Sequence, residues 1–274
     1  MVQNDIKETV INLQHLSHRY GKIEALNDVS VSIKRGSTVG LIGPDGVGKS
    51  TLLSLICGVK KLQQGEIEVL GSKVRTQKDR DYLSSKIAYM PQGLGLNLYF
   101  SLSVYENIEF IARLSQIPVA VREKKIEQLL KSTGLYPYRD RPAGQLSGGM
   151  KQKLSLCCAL VYDPEILILD EPTTGVDPLS RRQFWLLIGK LRELRPEMTM
   201  IVATAYMEEA EQFEHLLGLF HGQLIFNEKL EELLLTSESQ SVEEAFVKHL
   251  PESYQADRHL VMTPFVKKEG EEAV

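Results

Sequence analysis

The order of apolar and polar residues divides the chain into short strands and helices. Val10-Ile11-Asn12-Leu13 and Val29-Ser30-Val31-Ser32-Ile33 carry apolar residues at a period of two, the spacing of strands with one buried face. Val39-Gly40-Leu41-Ile42 is a short apolar run, and Lys49 to Cys57 reads as a helix closed by Gly58. Val69 and Leu70 before Gly71, and Ile87 to Met90, read as further strands. Helical spacing then takes over. Val104, Ile108 and Ile111 mark one helix; Ile126, Leu129 and Leu130 mark a second, ended by Gly134. A third runs from Ser147 through Leu154, Cys157 and Val161. Beyond it strand and helix alternate: Ile166 to Leu169, Asp177-Pro178 through Phe184 and Leu191, Met200 to Ala203, and a helix from Met207.

This alternation predicts an α/β fold with a mostly parallel sheet flanked by helices. The helical block at about 96–162 is an insertion into it. One domain is expected over 1–235, followed by a tail over 236–274. Ser237-Glu238-Ser239-Gln240 is a polar break, and Val242, Ala245, Phe246 and Leu250 predict a short amphipathic helix. Lys267-Lys268-Glu269-Gly270-Glu271-Glu272 reads as an acidic linker or frayed end.

Composition narrows the classes. With 274 residues, 43% apolar and 25% charged, the chain has the make-up of a soluble globular protein. A net charge of −4 gives no support for direct, sequence-specific nucleic-acid binding. No apolar run is long enough to cross a bilayer, and the start lacks the basic-then-apolar order of a signal peptide. Cys57, Cys157 and Cys158 have neither disulfide nor zinc spacing and are expected to be reduced core residues. The six histidines form no metal-ligand pattern. A cytoplasmic location follows as an expectation.

Three motifs carry chemistry. Gly43-Pro44-Asp45-Gly46-Val47-Gly48-Lys49-Ser50 is a complete phosphate-binding P-loop, set between a strand and a helix as that motif requires. Its glycines let backbone N–H groups face phosphate oxygens, and the helix start adds the positive end of its dipole. Lys49 supplies charge to the β- and γ-phosphates, Ser50 is placed to ligate Mg²⁺, and Thr51 is a further phosphate donor. The second motif is the apolar strand ending in Asp170-Glu171-Pro172. An acid there emerges beside the nucleotide crevice, so Asp170 can hold Mg²⁺ and Glu171 can polarise an attacking water. The third is Leu146-Ser147-Gly148-Gly149-Met150-Lys151-Gln152, a loop entering a helix with Ser147 as N-cap. Taken alone it is a capped helix start; its spacing before Asp170 gives it more weight.

Together these motifs resemble the P-loop, LSGGQ-type signature and acidic strand of ABC ATPases. Over about residues 10–235 the chain looks like one nucleotide-binding domain of an ABC transporter. The resemblance implies a P-loop NTPase (RecA-like) core with N-terminal antiparallel strands and a helical subdomain. It implies ATP and Mg²⁺, and ATP hydrolysis in a dimer whose partner is a second ABC ATPase domain, as a homodimer or in tandem. Ser147, Gly148, Gly149 and Gln152 would then face the γ-phosphate held by the opposite P-loop. Gln92, in Tyr89-Met90-Pro91-Gln92, resembles the glutamine that senses Mg²⁺ and the attacking water. Tyr20 resembles the aromatic that stacks on adenine; an ordinary surface tyrosine is the alternative. Asp177 resembles the dimer-interface aspartate and is also a helix N-cap; both can hold.

Tyr206-Met207-Glu208-Glu209-Ala210-Glu211 and Val242-Glu243-Glu244-Ala245-Phe246 resemble the drug-exporter subclass. The chain is similar, above all, to the first ATPase domain of bacterial ribosome-associated ABC ATPases. In such proteins a second ATPase domain would begin near this chain's acidic end, so a fragment or split subunit is expected. The family implies a membrane-spanning permease as partner, at the cytoplasmic face of the bacterial inner membrane; a ribosome is the alternative. Leu94, Leu96, Leu98, Tyr99 and Phe100 suit either permease docking or core packing. One departure stands out. Ala205 occupies the place of the family's catalytic histidine.

Overall fold

The computed structural model describes residues 8–255. β1 (Thr9–Tyr20) and β2 (Ile23–Lys34) pair antiparallel across Gly21-Lys22. β1 runs well past the stretch whose alternation is visible in sequence. The register shifts between Leu13 and Leu16, and His15 takes φ 53°. Burial slips phase there, from Ile11 and Leu13 to Leu16 and His18, so a period-two reading stops short.

β3 (Thr38–Ile42) is buried throughout and opens into the glycine-rich loop and α1 (Lys49–Ile56). Gly58, at φ 71°, follows the end of α1. β4 (Gln64–Val69) returns to pair with β1, and β5 (Ser72–Lys73) pairs with β4, giving a first sheet of order β2-β1-β4-β5. α2 (Gln77–Ser84) starts at a capping box made by Thr76 and Asp79, a sequence signal the periodicity reading passes over. β6 (Ile87–Met90) follows.

α3 (Val104–Leu114), α4 (Val119–Thr133) and α5 (Gly148–Leu160) form the helical block. It has its own core, built on Val104, Ile108, Ile126, Leu130, Leu154 and Cys157. Gly134 stops α4 at φ 72°. β7 (Ile166–Asp170), α6 (Pro178–Leu194) and β8 (Thr199–Thr204) then alternate as expected.

The helix at Met207 lasts a single turn, α7 (Met207–Ala210). Phe213 accounts for its end. That ring is 3% exposed and packs on β3, where a Cβ on Gly40 would come within 2.5 Å of it. Burying the ring draws the chain off the helix and into a hairpin of β9 (His215–Phe220) and β10 (Gln223–Lys229). The second sheet runs β10-β9-β3-β8-β7-β6, parallel except for β10.

α8 (Leu230–Thr236), α9 (Val242–Lys248) and α10 (Glu252–Gln255) complete the described chain. Val242, Ala245 and Phe246 of α9 lie buried in the cluster that holds Trp185, Phe213 and Phe226. The Phe246 and Phe226 rings meet edge to face with centroids 6.0 Å apart. Phe246→Ala is therefore expected to cost about 3–5 kcal/mol, read as a lower denaturant midpoint. The expected linker at Lys267 to Glu272 lies outside the described residues. All three cysteines are buried and free, and burial pushes the Cys157 thiol up to about 12. No helix among the described residues is long and apolar enough to cross a membrane.

Candidate functional site

Parallel pairing sets the ends of three strands at one edge. Ile42 of β3 is level with Thr204 of β8, and Asp170 of β7 with Ala203. Loops leaving this edge bring the P-loop, the paired acids and the turn at Ala205 together. Two P-loop glycines are required by close approach. A Cβ on Gly43 (φ 154°) would lie 2.2 Å from the Leu219 carbonyl, and one on Gly48 (φ 111°) equally close to the Ala25 carbonyl. Gly46 (φ 79°) faces open space. Pro44 and Asp45 are exposed, and Val47 accepts a hydrogen bond from Gly222 N–H at 3.2 Å.

Lys49 is buried at 3% exposure. Its Nζ donates to the carbonyls of Gly43 (2.8 Å) and Pro44 (2.9 Å). It also stands 3.4 Å from Glu171 Oε1 and 3.8 Å from Asp45 Oδ1. Gln92 Nε2 donates to Glu171 Oε2 at 2.7 Å, and Thr174 Oγ1 donates to the same oxygen at 3.2 Å. Glu171 takes φ 48°, and its N–H donates to the Ala203 carbonyl at 2.9 Å. The left-handed conformation of a bulky residue at such a place is stored strain of the kind that positions functional groups.

Ser50 Oγ donates to Asp170 Oδ1 at 3.1 Å, and Tyr89 OH donates to Oδ2 at 3.0 Å. Tyr89 is a site residue that sequence reasoning missed; nothing local marks it, because its partner lies on the neighbouring strand. Burial raises the Asp170 carboxyl above the ordinary aspartate range, and the nearby Glu171 charge adds to the rise. The hydrogen bonds from Ser50 and Tyr89 and the Lys49 charge pull the other way. As pH rises, the unfolded chain gives up this proton first. The destabilisation therefore begins near the ordinary aspartate pKa and is complete above the raised one. Asp170→Asn is expected to raise the melting temperature at neutral pH and to lose that advantage in acid, in melts without nucleotide or Mg²⁺.

A cleft of about 380 Å³ opens here, lined by Tyr20, Lys49, Ser50, Thr51, Gln92 and Glu171 among others. A larger cleft of about 770 Å³, between the start of β3 and the 211–215 loop, carries no residue of the P-loop, the acidic strand end or the 146–152 segment on its walls. Tyr20 is half exposed at the rim. Its OH lies 3.3 Å from Thr51 Oγ1, and Lys60 Nζ sits 5.0 Å from its ring centroid.

The signature segment lies at the start of α5. Ser147 caps the helix, its Oγ accepting from Met150 N–H at 3.3 Å. A Cβ on Gly149 would meet Ser180 at 2.5 Å, so only glycine lets α5 pack on the start of α6. Asp177 caps α6, its Oδ1 accepting from Ser180 N–H at 2.9 Å. Ser147 and Asp177 are exposed. Gln152 departs from the expectation of a surface contact: it is 2% exposed, turned into the core one helical turn beyond Gly148. The Leu94–Phe100 loop divides. Leu98 is buried in the helical block, while Leu96, Tyr99 and Phe100 are exposed. Leu94 sits against Gly148 and Gly175, where an added Cβ would meet it at 3.4 and 3.6 Å.

Known proteins resemble this chain in sequence and in fold. The sequence family described as ABC transporter matches residues 26–174. The chain is 38% identical over 239 residues to the probable multidrug ABC transporter ATP-binding protein YbhF of Escherichia coli, covering 86% of this chain and 40% of that protein. It thus spans well under half the length of that relative. CbiO1 of Clostridium perfringens, part of the ABC transporter complex CbiONQ, superposes with a TM-score of 0.77 at 26% identity, over 94% of this chain and 100% of that one. A dimeric ATP-binding cassette in a post-hydrolysis state, bound to ADP and Pi, superposes with a TM-score of 0.71 at 29% identity, over 80% of this chain and 98% of that one. The chain belongs to the ABC transporter family, as an ABC ATPase domain related to its multidrug members.

Proposed function

We propose that the chain powers export through a membrane-spanning permease by closing around ATP as a dimer. The observation that carries this reading is Glu171, held between Lys49 and Gln92 at the P-loop edge. In this reading Lys49 and the P-loop amides bind the phosphates. Ser50 and Asp170, already within 3.1 Å of one another, would hold Mg²⁺. Two hard oxygen donors suit that ion, which takes its remaining ligands from phosphate and water. When bound it would neutralise charge that develops on the phosphates. Glu171 orients and deprotonates the attacking water, and Gln92 ties that carboxylate to the loop entering the helical block. Exposed Leu96, Tyr99 and Phe100 beside that loop would take the permease, at the cytoplasmic face of the membrane.

Ala205 has no side-chain donor for the γ-phosphate, so this P-loop binds ATP well and hydrolyses it slowly. The opposite site borrows Ser147 to Gly149 of this chain and can be fast if its own subunit supplies a histidine. Ala205 also favours a second reading, a regulatory domain that binds ATP without turnover. Light scattering with Mg·ATP and with Mg·ADP tests the dimer. A dimer is expected with ATP alone, abolished by Ser147→Arg. A monomer under saturating ATP would overturn the proposal.

A further inference from the structure

Glu209 is 4% exposed in the one-turn helix α7; it lies in the Tyr206–Glu211 motif, but no role has been given to its side chain. Its carboxylate accepts hydrogen bonds from three separate segments. Thr173 Oγ1 and Trp185 Nε1 (3.0 Å) donate to Oε1, and Thr204 Oγ1 donates to Oε2 at 2.7 Å. Arg181 adds charge, its Nε 3.9 Å from Oε1 and its guanidinium 4.3 Å from the Tyr206 ring centroid. An ionisable group stays in such a place only when partners offset its lost water.

Two of these contacts lead to Glu171. Thr173 is anchored on Glu209, and the next residue, Thr174, donates to Glu171 Oε2. Thr204 ends β8 and joins a relay: Tyr206 N–H donates to Thr204 Oγ1 at 3.0 Å, and that hydroxyl donates to Glu209. The relay fixes the turn that carries Ala205. The same strand end offers the Ala203 carbonyl that receives Glu171 N–H. Glu209 thus stands behind both segments that hold Glu171, yet it is absent from the walls of the nucleotide cleft.

We propose that Glu209 is a positioning residue for hydrolysis. It holds the Thr173-Thr174 segment and the 203–206 turn in register, so that the Glu171 carboxylate faces the attacking water. This inference rests on the reading of Glu171 as the base. Where position 205 offers no donor, the alignment of Glu171 depends the more on this frame. Glutamine cannot replace Glu209 without loss. Its single carbonyl oxygen cannot serve all three donors, and its amide must point at the Trp185 N–H or at the Thr204 hydroxyl that already accepts from Tyr206.

Single-turnover hydrolysis of Mg·ATP, with protein in excess, reads even slow chemistry and separates it from ATP affinity. Glu209→Gln is expected to slow the step about 10–100-fold and to leave the ATP dissociation constant within about twofold. Thr173→Val, which cuts one link and keeps the side-chain shape, is expected to act in the same sense and less. Far-ultraviolet circular dichroism reports that each variant is folded, because Trp185 emission responds directly to a change at its hydrogen-bond partner Glu209. The Glu171→Gln, Glu209→Gln double variant is expected to be no slower than Glu171→Gln alone. A wild-type rate in Glu209→Gln, or losses that multiply in the double variant, would overturn this inference alone. A wild-type rate in Glu171→Gln would overturn the base assignment, and this inference with it.

Discussion

Ala205→His is expected to speed single-turnover ATP hydrolysis at this P-loop by about 10²–10³-fold, the worth of one positioned donor at developing charge. ATP affinity is expected to stay unchanged, because Lys49, Ser50 and the P-loop amides are untouched. Position 205 lies one residue past Thr204, at the strand edge it shares with Asp170. A histidine there enters an existing frame, since Thr204 and Tyr206 on either side are tied to each other and to Glu209. Measurement of the wild type beside the variant decides between two kinds of protein. A nearly silent wild type rescued by histidine is the slow half of an asymmetric pair. Equal rates in the two mean that the missing imidazole has no consequence and the chain is a self-sufficient ATPase.

Glu171→Gln is expected to cut the chemical step by about 10²–10⁴-fold, the range for loss of a positioned general base. The amide keeps the shape and can still accept from Gln92 or Thr174, but it cannot take a proton from water. It also removes the carboxylate 3.4 Å from Lys49 Nζ, leaving that ammonium to the carbonyls of Gly43 and Pro44 and to the phosphates. ATP should therefore be held at least as tightly, and the ATP-bound dimer should persist in size analysis. The Ala205→His background gives this comparison its widest range. A Glu171→Gln variant that hydrolyses ATP at the parent rate would refute the assigned base.

Much of the site was legible because its motifs are local. A P-loop needs glycines, a lysine and a hydroxyl within one turn between a strand and a helix, and eight consecutive residues state it. Ser147 and Asp177 were readable as caps because a capping side chain bonds the backbone three residues ahead. Gln152 was misplaced for the opposite reason. Its place in the segment says nothing of which side of α5 packs inward; that depends on the neighbours α5 meets.

The fold divides the same way. α1, the helical block and β7 follow from periodicity and terminal glycines, whose effects span a few residues. The β9–β10 hairpin and the early end of α7 follow from Phe213 finding room over Gly40, more than a hundred residues earlier in the chain. The contacts that build the chemistry are also long-range. Ser50 and Asp170 are 120 positions apart, Tyr89 and Asp170 are 81, and Gln92 and Glu171 are 79. Residue type and spacing alone point to a phosphate-binding loop and two acids at a strand end, because each is written in neighbouring residues; that Ala205 stands in a histidine's place comes from the family resemblance. Strand order decides that these groups meet, that Tyr89 joins them, and that a buried Glu209 stands behind them. Such order arises only when separate apolar faces are buried together.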